Sequence, residues 1–371
     1  MIRVRRGGPY DVTVRRILLL ITDLKIGGTP TVVRELALRL RDPGRVEIEV
    51  ACLSEWGPVA SELHDAGVTV TALGARSAAN FPRTLVRLVQ LIRRGGFDTV
   101  FSFLVHANAI AAAASPLFPA VRFLQSIQTT QPNPAWHWWL QRAVQVGAEK
   151  VVVPSESVAE IAIGQAGVAR ERLAVIPNAV DIQSFGSIYA ANAARLAHRP
   201  RRVGFIGRLD PIKRIPELVA AMPHLPGCRL DIYGEGSDRP QIEESIRRLT
   251  LDDRVTLHGA ISRPHDALAT MDVLVLPSRA EGFGLVLIEA MAAGVPVVGA
   301  SAPGIRDVIQ PVQTGFLLHD MHWTSFFVAI MDATSDVFRK ALVPAARADV
   351  EQRFAWPAVL ERYRRLLGII A

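Results

Sequence analysis

Short apolar runs alternate with amphipathic stretches along the first half of the chain. The apolar runs, rich in Val, Ile and Leu, occupy residues 17–22, 46–53, 68–73, 98–104 and 150–155. Apolar positions with helical spacing occupy residues 31–41, 59–66 and 84–94. Strands that alternate with helices in this way predict a mostly parallel sheet with helices on both of its faces.

The alternation stops once and then resumes. Residues 181–200 are small, polar and rich in Ala, which is typical of a connection between domains. Beyond them, predicted strands occupy residues 202–207, 228–234, 254–259, 272–278 and 295–300, and predicted helices occupy 215–222, 239–249, 264–270 and 285–293. The sequence therefore predicts an α/β protein with two doubly wound, Rossmann-like domains of parallel sheet that face each other across a cleft.

The length of 371 residues also favours two domains over one core. The predicted parts are a first domain over 1–183, with 1–15 flexible, a linker over 184–200, a second domain over 201–352 and a terminal helix within 353–371. Ligands of open parallel sheets bind at the carboxyl ends of the strands, so we expect the site in the cleft between the domains. We expect the cleft to close about the linker and the segment before Trp356.

Charge narrows the choice of partners. The chain carries 42 Lys and Arg against 35 Asp and Glu, a formal net charge of +7, which favours partners that carry phosphate. Nucleic acid, an anionic membrane surface and a sugar nucleotide all meet that description. The basic residues are scattered, and no block of like charges or basic–aromatic cluster supports a nucleic-acid partner.

Cysteine usage and the apolar runs indicate the compartment. Cys52 and Cys228 are far apart, which predicts neither a disulfide framework nor a zinc site. The apolar run at 17–21 is too short for the core of a signal peptide, and the stretch at 107–120 is shorter than the about 20 residues needed to span a bilayer. We therefore expect a cytoplasmic protein.

The segment 271–300 carries the most chemical information. Its first part, DVLVLPS, is apolar throughout, as a strand covered on both faces should be. The loop RAEGFG follows, and its Gly282 and Gly284 allow the backbone to approach a ligand closely. The helix LVLIEAMAA comes next, so its free N–H groups and positive dipole end point toward the mouth of the sheet. This unit predicts a phosphate-binding site.

Two carboxylates, Glu281 and Glu289, bracket that loop with seven residues between them. A carboxylate accepts hydrogen bonds from vicinal hydroxyl groups, so the pair could hold the ribose and the sugar of a sugar nucleotide. The alternative is a solvated loop acid and a surface acid of the helix. Glu289 lies within an apolar helical segment, where an unpartnered charge would be costly, and this favours the binding role.

The same segment resembles the signature of glycosyltransferase family 4, also called the group 1 glycosyltransferases. Further motifs of that family follow in its order: VIPNAVD (175–181), VGFIGRLDPIKRIPELVAAM (203–222), IYGEGSDRPQIE (232–243), RVTLHGAI (254–261), APGIRDVI (302–309), QTGFLL (313–318) and RFAWPAVLERYRRLL (353–367). The resemblance is nearly continuous over 175–367 and looser before it. Arg214 departs from the Gly that is usual after the lysine of the second motif.

The resemblance implies the GT-B fold and a retaining, metal-independent glycosyltransferase without a cofactor, whose donor is a nucleotide-diphosphate sugar. Arg208 and Lys213 match the cations that bind the diphosphate, and Glu289 matches the acid that binds the ribose. Glu281 matches the acid that contacts the donor sugar, and it is not expected to be a nucleophile. The remaining matched donor-binding positions are Gly207, Gly282, Phe283, Gly284 and Leu285. The resemblance also implies that the terminal helix crosses back to the first domain.

In the first domain the resemblance covers fewer residues. Gly27 and Gly28 match a glycine-rich loop that approaches the diphosphate or the acceptor. His106 follows a predicted strand, where the family often has a histidine near the donor sugar, although a lone histidine is as often structural. The segment 133–145 contains Trp136, Trp138, Trp139 and Arg142, which could contact a membrane or could be core or acceptor-pocket residues.

Three functions are compatible with these motifs. The first is a glycosyltransferase that acts on a glycan or lipid-linked acceptor. The second is a sugar-nucleotide epimerase with the same fold, and the third is an inactive binding module. Arg208, Lys213, Glu281 and Glu289 are all present, which favours the transferase. Neither the donor base and sugar nor the acceptor follows from the sequence.

Overall fold

The computed structural model of the protein describes residues 14–130, 135–194, 201–320 and 322–369. Several predictions fall partly outside these ranges. They concern residues 1–13 of the predicted flexible segment, 133–134 of the tryptophan-rich segment, 195–200 of the predicted linker and 370–371 of the terminal segment.

The first domain contains a sheet of seven parallel strands in the order β3-β2-β1-β4-β5-β6-β7. The strands are β1 (Arg15–Ile21), β2 (Val46–Cys52), β3 (Thr69–Ala72), β4 (Thr99–Phe103), β5 (Arg122–Ser126), β6 (Lys150–Val153) and β7 (Leu173–Val175). The helices are α1 (Gly28–Leu40), α2 (Pro58–Asp65), α3 (Phe81–Gly95), α4 (Val105–Ala114), α5 (His137–Val144) and α6 (Glu156–Gly164).

The second domain contains a sheet of six parallel strands in the order β10-β9-β8-β11-β12-β13. The strands are β8 (Arg201–Ile206), β9 (Cys228–Tyr233), β10 (Val255–Gly259), β11 (Val273–Leu276), β12 (Val297–Ala300) and β13 (Phe316–Leu318). One helix, α7 (Gly186–Ala194), precedes β8. The helices that follow β8 are α8 (Ile215–Ala221), α9 (Arg239–Arg248), α10 (His265–Thr270), α11 (Leu285–Ala292), α12 (Ile305–Val308), α13 (Trp323–Ala333), α14 (Asp336–Phe354) and α15 (Trp356–Leu367). The predicted fold class, two Rossmann-like domains of parallel sheet, is confirmed.

The central strand β1 shows why the apolar runs identified the sheet. Every residue from Ile17 to Ile21 is at most 1% exposed, because helices cover both faces of the strand. Ile17, Leu19 and Ile21 pack into the core that includes α1 and α15, whereas Leu18 and Leu20 pack into the core beneath α3 and α4. Such a strand has a continuous apolar sequence without alternation.

Several elements did not follow from the sequence pattern. The helix α4 is the clearest case, because its sequence VHANAIAAAA is apolar on nearly all sides and buried at six of ten positions. A helix without a polar face has no detectable amphipathic period. The other elements without a prediction are β5, β7, β13, α5, α6, α7, α12, α13 and α14.

Residues 184–194 of the predicted linker contain most of a 3-10 turn, Gln183–Phe185, and the helix α7. Asn192 in α7 is buried, and its amide donates hydrogen bonds to the carbonyl oxygens of Leu268 (3.2 Å) and Ala293 (2.8 Å). These bonds attach α7 to the second domain.

The chain passes between the domains twice, and the two passages lie side by side. Val180 donates a backbone hydrogen bond to Phe354 O at 2.9 Å, just before α15 begins. The helix α15 then buries Trp356, Val359 and Tyr363 in the core of the first domain. Among the described helices, none is both long enough and apolar enough to cross a bilayer.

Candidate donor site

The predicted site residues lie at the carboxyl edges of the two sheets. Gly27 and Gly28 follow β1, and His106 lies in the first turn of α4, directly after β4. In the second domain, Gly207 and Arg208 follow β8, and Glu281 lies in the loop between β11 and α11.

The Glu281 side chain is held by two neighbours. Its Oε1 atom lies 2.5 Å from Lys213 Nζ and accepts a hydrogen bond from Ser278 Oγ at 2.7 Å. The Lys213 and Glu281 side chains are only 13% and 12% exposed. A mostly buried charge is tolerated when it is paired and hydrogen-bonded, so these contacts fix the direction of the carboxylate. Ser278 was not predicted, although it stands three residues before Glu281 at the end of a buried strand.

Backbone contacts align the two loops that carry this ion pair. Lys213 ends a 3-10 turn, Pro211–Lys213, which follows β8. The amide of Arg279 donates a hydrogen bond to Ile212 O within that turn, at 2.9 Å. The structure thus brings together two residues that are 68 positions apart in the sequence.

Arg208 is placed differently from Lys213. Its guanidinium pairs with Asp210 at 2.9 Å, and its side chain is 72% exposed. A surface pair of this kind is weak, so Arg208 can leave Asp210 for a ligand phosphate at little cost. The backbone beside it is closely packed, since a Cβ atom at Gly234 would overlap the carbonyl oxygen of Gly207.

The loop that holds Glu281 is also the point where the two domains touch. A Cβ atom at Gly282 would overlap the carbonyl oxygen of Gln128, which follows β5 in the first domain. The Gly282 carbonyl accepts a hydrogen bond from Ser155 Oγ at 3.2 Å. The same Ser155 oxygen accepts a hydrogen bond from Val158 N and so caps α6. The position of the Glu281 loop therefore depends on the first domain.

The helix α11 begins at Leu285, directly after Gly284, whose φ of 80° lies in the left-handed region that favours glycine. Phe283 is buried, and its ring meets the ring of Phe354 edge-on at 5.3 Å. The turn therefore has a fixed geometry, and the free N–H groups of the first helical turn lie beside the Glu281 loop.

Glu289 lies in the second turn of α11 and is partly buried among apolar neighbours. Burial raises the pKa of its carboxyl to about 8, and the positive charge of Arg34 in α1 acts in the opposite direction. Arg34 itself is held by Glu35 (3.0 Å) and Glu62 (2.6 Å). No sequence pattern distinguishes Arg34, because its relation to Glu289 arises only when the two domains come together.

In the first domain, His106 is exposed at the carboxyl edge of the sheet. Leu104, directly after β4, has a φ of 73°, a strained value for a residue with a branched side chain. The ring of His106 meets that of His137 edge-on at 4.9 Å. Burial, together with the nearby His106, lowers the pKa of His137.

The two predicted glycines of the first domain lie at the start of α1. Gly27 precedes this helix, and Gly28 begins it with open space where a Cβ atom would stand.

The tryptophan-rich segment divides into two parts. Trp138 is partly buried and packs against the core beside α6, as a core residue would. Trp136 and Trp139 are 54% and 75% exposed, and Arg142, three residues after Trp139 in α5, is exposed as well. Trp136 also contacts His137 at 4.3 Å between ring centroids, which places it close to His106. Within the described residues, no group of three or more His, Cys, Asp or Glu could hold a metal ion.

Two parallel-sheet domains whose carboxyl edges meet across a cleft define a GT-B protein. The Anabaena protein HepE in complex with UDP and glucose has this fold with a TM-score of 0.83 and 22% identity, over 96% of this chain and 100% of that one. Sucrose-phosphate synthase from Thermosynechococcus elongatus has a TM-score of 0.78 and 22% identity, over 96% and 100% of the two chains. At such identities the similarity establishes the fold alone.

Family models identify the chain more closely. The model for glycosyl transferases group 1 matches residues 191–349, and the model for glycosyltransferase family 4 matches residues 26–184. The protein therefore belongs to the group 1 glycosyltransferases of family 4, as the motifs indicated.

Curated relatives agree with this family. D-inositol 3-phosphate glycosyltransferase of Xylanimonas cellulosilytica is 32% identical over 57% of this chain and 56% of its own length. Sulfoquinovosyl transferase SQD2 of Arabidopsis thaliana is 27% identical over 61% of this chain and 46% of its own. The matched part thus spans about half the length of these relatives. D-inositol 3-phosphate glycosyltransferase of Pseudarthrobacter chlorophenolicus matches 92% of this chain at 27% identity.

The contact between Gly282 and Gln128 generates a first prediction. In Gly282→Ala the added methyl group cannot coexist with the Gln128 carbonyl oxygen, so the domains must separate at this point. We expect a larger radius of gyration in small-angle X-ray scattering and a melting temperature close to that of the wild type. Gly164→Ala, which has open space for its methyl group, is the control. An unchanged radius of gyration in Gly282→Ala would contradict the closed contact.

The raised pKa of Glu289 generates a second prediction. Its folded-state pKa of about 8 exceeds its ordinary value of 4.5, so the folded protein holds this proton more tightly than the unfolded chain. The free energy of unfolding therefore falls as the pH rises from about 4.5 to 8. Glu289→Gln lacks this loss. Because each unit of raised pKa corresponds to about 1.4 kcal/mol, we expect the variant to be more stable than the wild type by several kcal/mol at pH 9, with a much smaller difference at pH 5.

Urea denaturation at both pH values measures this difference. Glu160→Gln, which replaces an exposed carboxylate of α6, is the matched control and should show the same stability difference at the two pH values. A Glu289→Gln difference that is equally large at pH 5 and pH 9 would exclude the titration of Glu289 as its cause.

Proposed function

We propose that the protein is a retaining, metal-independent glycosyltransferase that transfers a sugar from a nucleotide-diphosphate sugar to a hydroxyl group of an acceptor. The observation that carries the proposal is the Glu281 carboxylate, fixed by Lys213 and Ser278 beside the first turn of α11 in the interdomain cleft. Membership of the family supports the class of reaction.

The donor diphosphate is bound in this proposal by cations and by the helix start. Lys213 Nζ already stands next to Glu281, and an ammonium group with three donors can serve a phosphate and the carboxylate together. Arg208 swings from Asp210 to the diphosphate, and the free N–H groups at the start of α11 add to the positive potential. These groups stabilise the leaving nucleoside diphosphate as its charge develops, which is the task that a metal performs in other enzymes.

The two carboxylates take different parts of the donor. Glu281 is oriented toward the transferred sugar and accepts hydrogen bonds from its hydroxyl groups, without acting as a nucleophile. Glu289 binds the ribose. In the retaining reaction the acceptor hydroxyl attacks from the face that the diphosphate leaves, and the departing phosphate oxygen receives its proton. His106, at the carboxyl edge of the first sheet, orients the donor sugar or the attacking hydroxyl group in this proposal.

Uridine nucleotides are the first donors to test, because HepE has been solved with UDP and with UDP-glucose. The acceptor belongs to the glycan or lipid-linked class in this proposal. Two relatives point to different molecules, since one is named for inositol 3-phosphate and the other for sulfoquinovosyl transfer.

Calorimetric titration of UDP in the presence of EDTA tests the donor site. We expect binding without metal, weakened about 10- to 100-fold in Lys213→Ala and in Glu289→Ala, because each loses one charged or hydrogen-bonded contact of about 1.4–2.7 kcal/mol. Lys340→Ala, which removes an exposed lysine of α14, is the control and should bind like the wild type.

Product analysis distinguishes the alternatives. An acceptor-dependent product with the donor's anomeric configuration supports the retaining transferase. Isomerisation of the donor without an acceptor would indicate an epimerase. Absence of UDP, GDP and ADP binding would favour an inactive module.

The exposed tryptophans extend the proposal to a peripheral membrane contact at the cytoplasmic face. Large exposed aromatic rings next to Arg142 suit a bilayer interface, where the ring is buried among headgroups and the cation meets lipid phosphate. We expect the wild type to co-sediment with vesicles that contain anionic phospholipid, and Trp136→Ala/Trp139→Ala to remain in the supernatant. Trp56→Ala, which removes a first-domain ring that is 47% exposed, is the control. Equal co-sedimentation of all three proteins would overturn the membrane contact.

A further inference from the structure

A cavity of about 320 Å³ lies in the second domain beside the Glu281 loop, at the carboxyl ends of β11, β12 and β13. Its polar lining consists of Arg214, Ser278, Arg279, Ser301, His319 and Asp320. Ser278 is shared with the donor site, because its hydroxyl donates to Glu281. Arg214 directly follows Lys213, the partner of Glu281, so the cavity adjoins the position proposed for the donor sugar. The volume lies within the range of about 300–1,000 Å³ of small-molecule sites.

Arg214 has an unusual backbone for an arginine. Its φ of 56° and ψ of 36° lie in the left-handed region, which explains why glycine is usual at this position of the motif. A residue with a side chain is strained there, and such strain persists mainly where it serves a function. Here the gain is a guanidinium group in the wall of the cavity.

The Arg214 guanidinium has spare donors. Its side chain is only 22% exposed, and its Nε atom lies 3.3 Å from Glu217 Oε1. Its two terminal nitrogens have no hydrogen-bond partner within the described parts of the chain. Neither terminal nitrogen is sealed from solvent, so their N–H groups are open to a ligand that supplies oxygen acceptors.

The charges around the cavity favour a negative ligand. Arg279 pairs with the same Glu217 oxygen, at 3.6 Å, and Glu217 does not line the cavity. Asp320 is the single carboxylate among the described lining residues. It already accepts hydrogen bonds from Ser325 Oγ (2.6 Å) and His322 N (3.0 Å). The lining therefore contains two guanidinium groups and one carboxylate, and that carboxylate already accepts two hydrogen bonds.

We propose that this cavity binds an oxyanion substituent, namely a carboxylate, sulfonate or phosphate group, on the sugar that is held at Glu281. The substituent belongs either to the transferred sugar of the donor or to the acceptor. Arg214 and Arg279 bind it through the guanidinium fork that matches the geometry of such groups. The inference rests on the proposed function, and it adds a charge selection that the donor site alone does not provide.

Titrations with matched anionic and neutral ligands test the proposal. The donor arm compares UDP-glucuronate with UDP-glucose, and the free-sugar arm compares glucose 6-phosphate with glucose in the absence of nucleotide. We expect the wild type to prefer the anionic member at least tenfold in one of the arms, and the arm that shows the preference identifies the source of the oxyanion. In Arg214→Gly the preference should disappear, while the affinity for UDP itself stays within about twofold.

Thermal stability separates this role from a structural one. Glycine fits the left-handed backbone, so Arg214→Gly should melt at a higher temperature than the wild type although it has lost the anion preference. Thr250→Gly, at another non-glycine residue with positive φ (51°), is the control and should gain stability without any change in ligand preference.

Each outcome has a separate meaning. Equal affinity for the anionic and neutral members in both arms would overturn the inference, as would an unchanged preference in Arg214→Gly. The free-sugar arm decides the matter even if UDP does not bind, which would count against the proposed function. If UDP binds but neither arm shows an anion preference, the proposed function stands and only the oxyanion site is overturned.

Discussion

The buried contact between Lys213 and Glu281 is the constraint on which the site depends. Two opposite charges are tolerated in a largely buried environment only when they pair with each other. Lys213 and Glu281 form such a pair because the strands that precede them, β8 and β11, are neighbours in the sheet. In the order β10-β9-β8-β11-β12-β13, the chain adds strands toward one edge of the sheet up to β10 and then toward the other edge from β11, so the switch point lies between β8 and β11. At such a reversal the loops leave on opposite sides and open a crevice. The topology thus creates the crevice, and the ion pair holds its two walls in register.

The first domain completes this arrangement. Gly282, next to Glu281, contacts Gln128 and Ser155 of the first domain. Burial raises the pKa of Glu289, and the positive charge of Arg34, also in the first domain, acts to lower it. The environments of both carboxyl groups therefore depend on the position of the first domain. Separation of the domains would break the contacts of the Glu281 loop with Gln128 and Ser155, and it would move the positive charge of Arg34 away from Glu289. The geometry of the Glu281 loop and the electrostatic environment of Glu289 therefore both depend on the contact between the domains.

The sequence predicted the parts of the site that reside within one element and its adjacent loop. The strand, the EGFG turn and α11 are contiguous, and their apolar pattern and glycines carry the signal. Ser155, Gln128 and Arg34 lie in the other domain, and nothing local distinguishes them from ordinary surface residues. The helix α7 was missed for a related reason, because its small Ala-rich sequence resembles a linker until Asn192 is seen to be buried. Local patterns predict elements, whereas contacts across a domain boundary arise only from the assembled fold.

Glu281 and Glu289 show how one stretch of sequence yields two different carboxyl groups. Glu281 meets an ammonium and a hydroxyl group, so its charge is balanced where it stands. Glu289 lies among apolar neighbours that raise its pKa to about 8, so it holds its proton more tightly than an ordinary carboxyl group does. The negative charge at the start of α11 is therefore smaller than that of two free, unpaired carboxylates. In the proposed function this favours the diphosphate, because two unbalanced carboxylates at the start of α11 would oppose the dipole that attracts it.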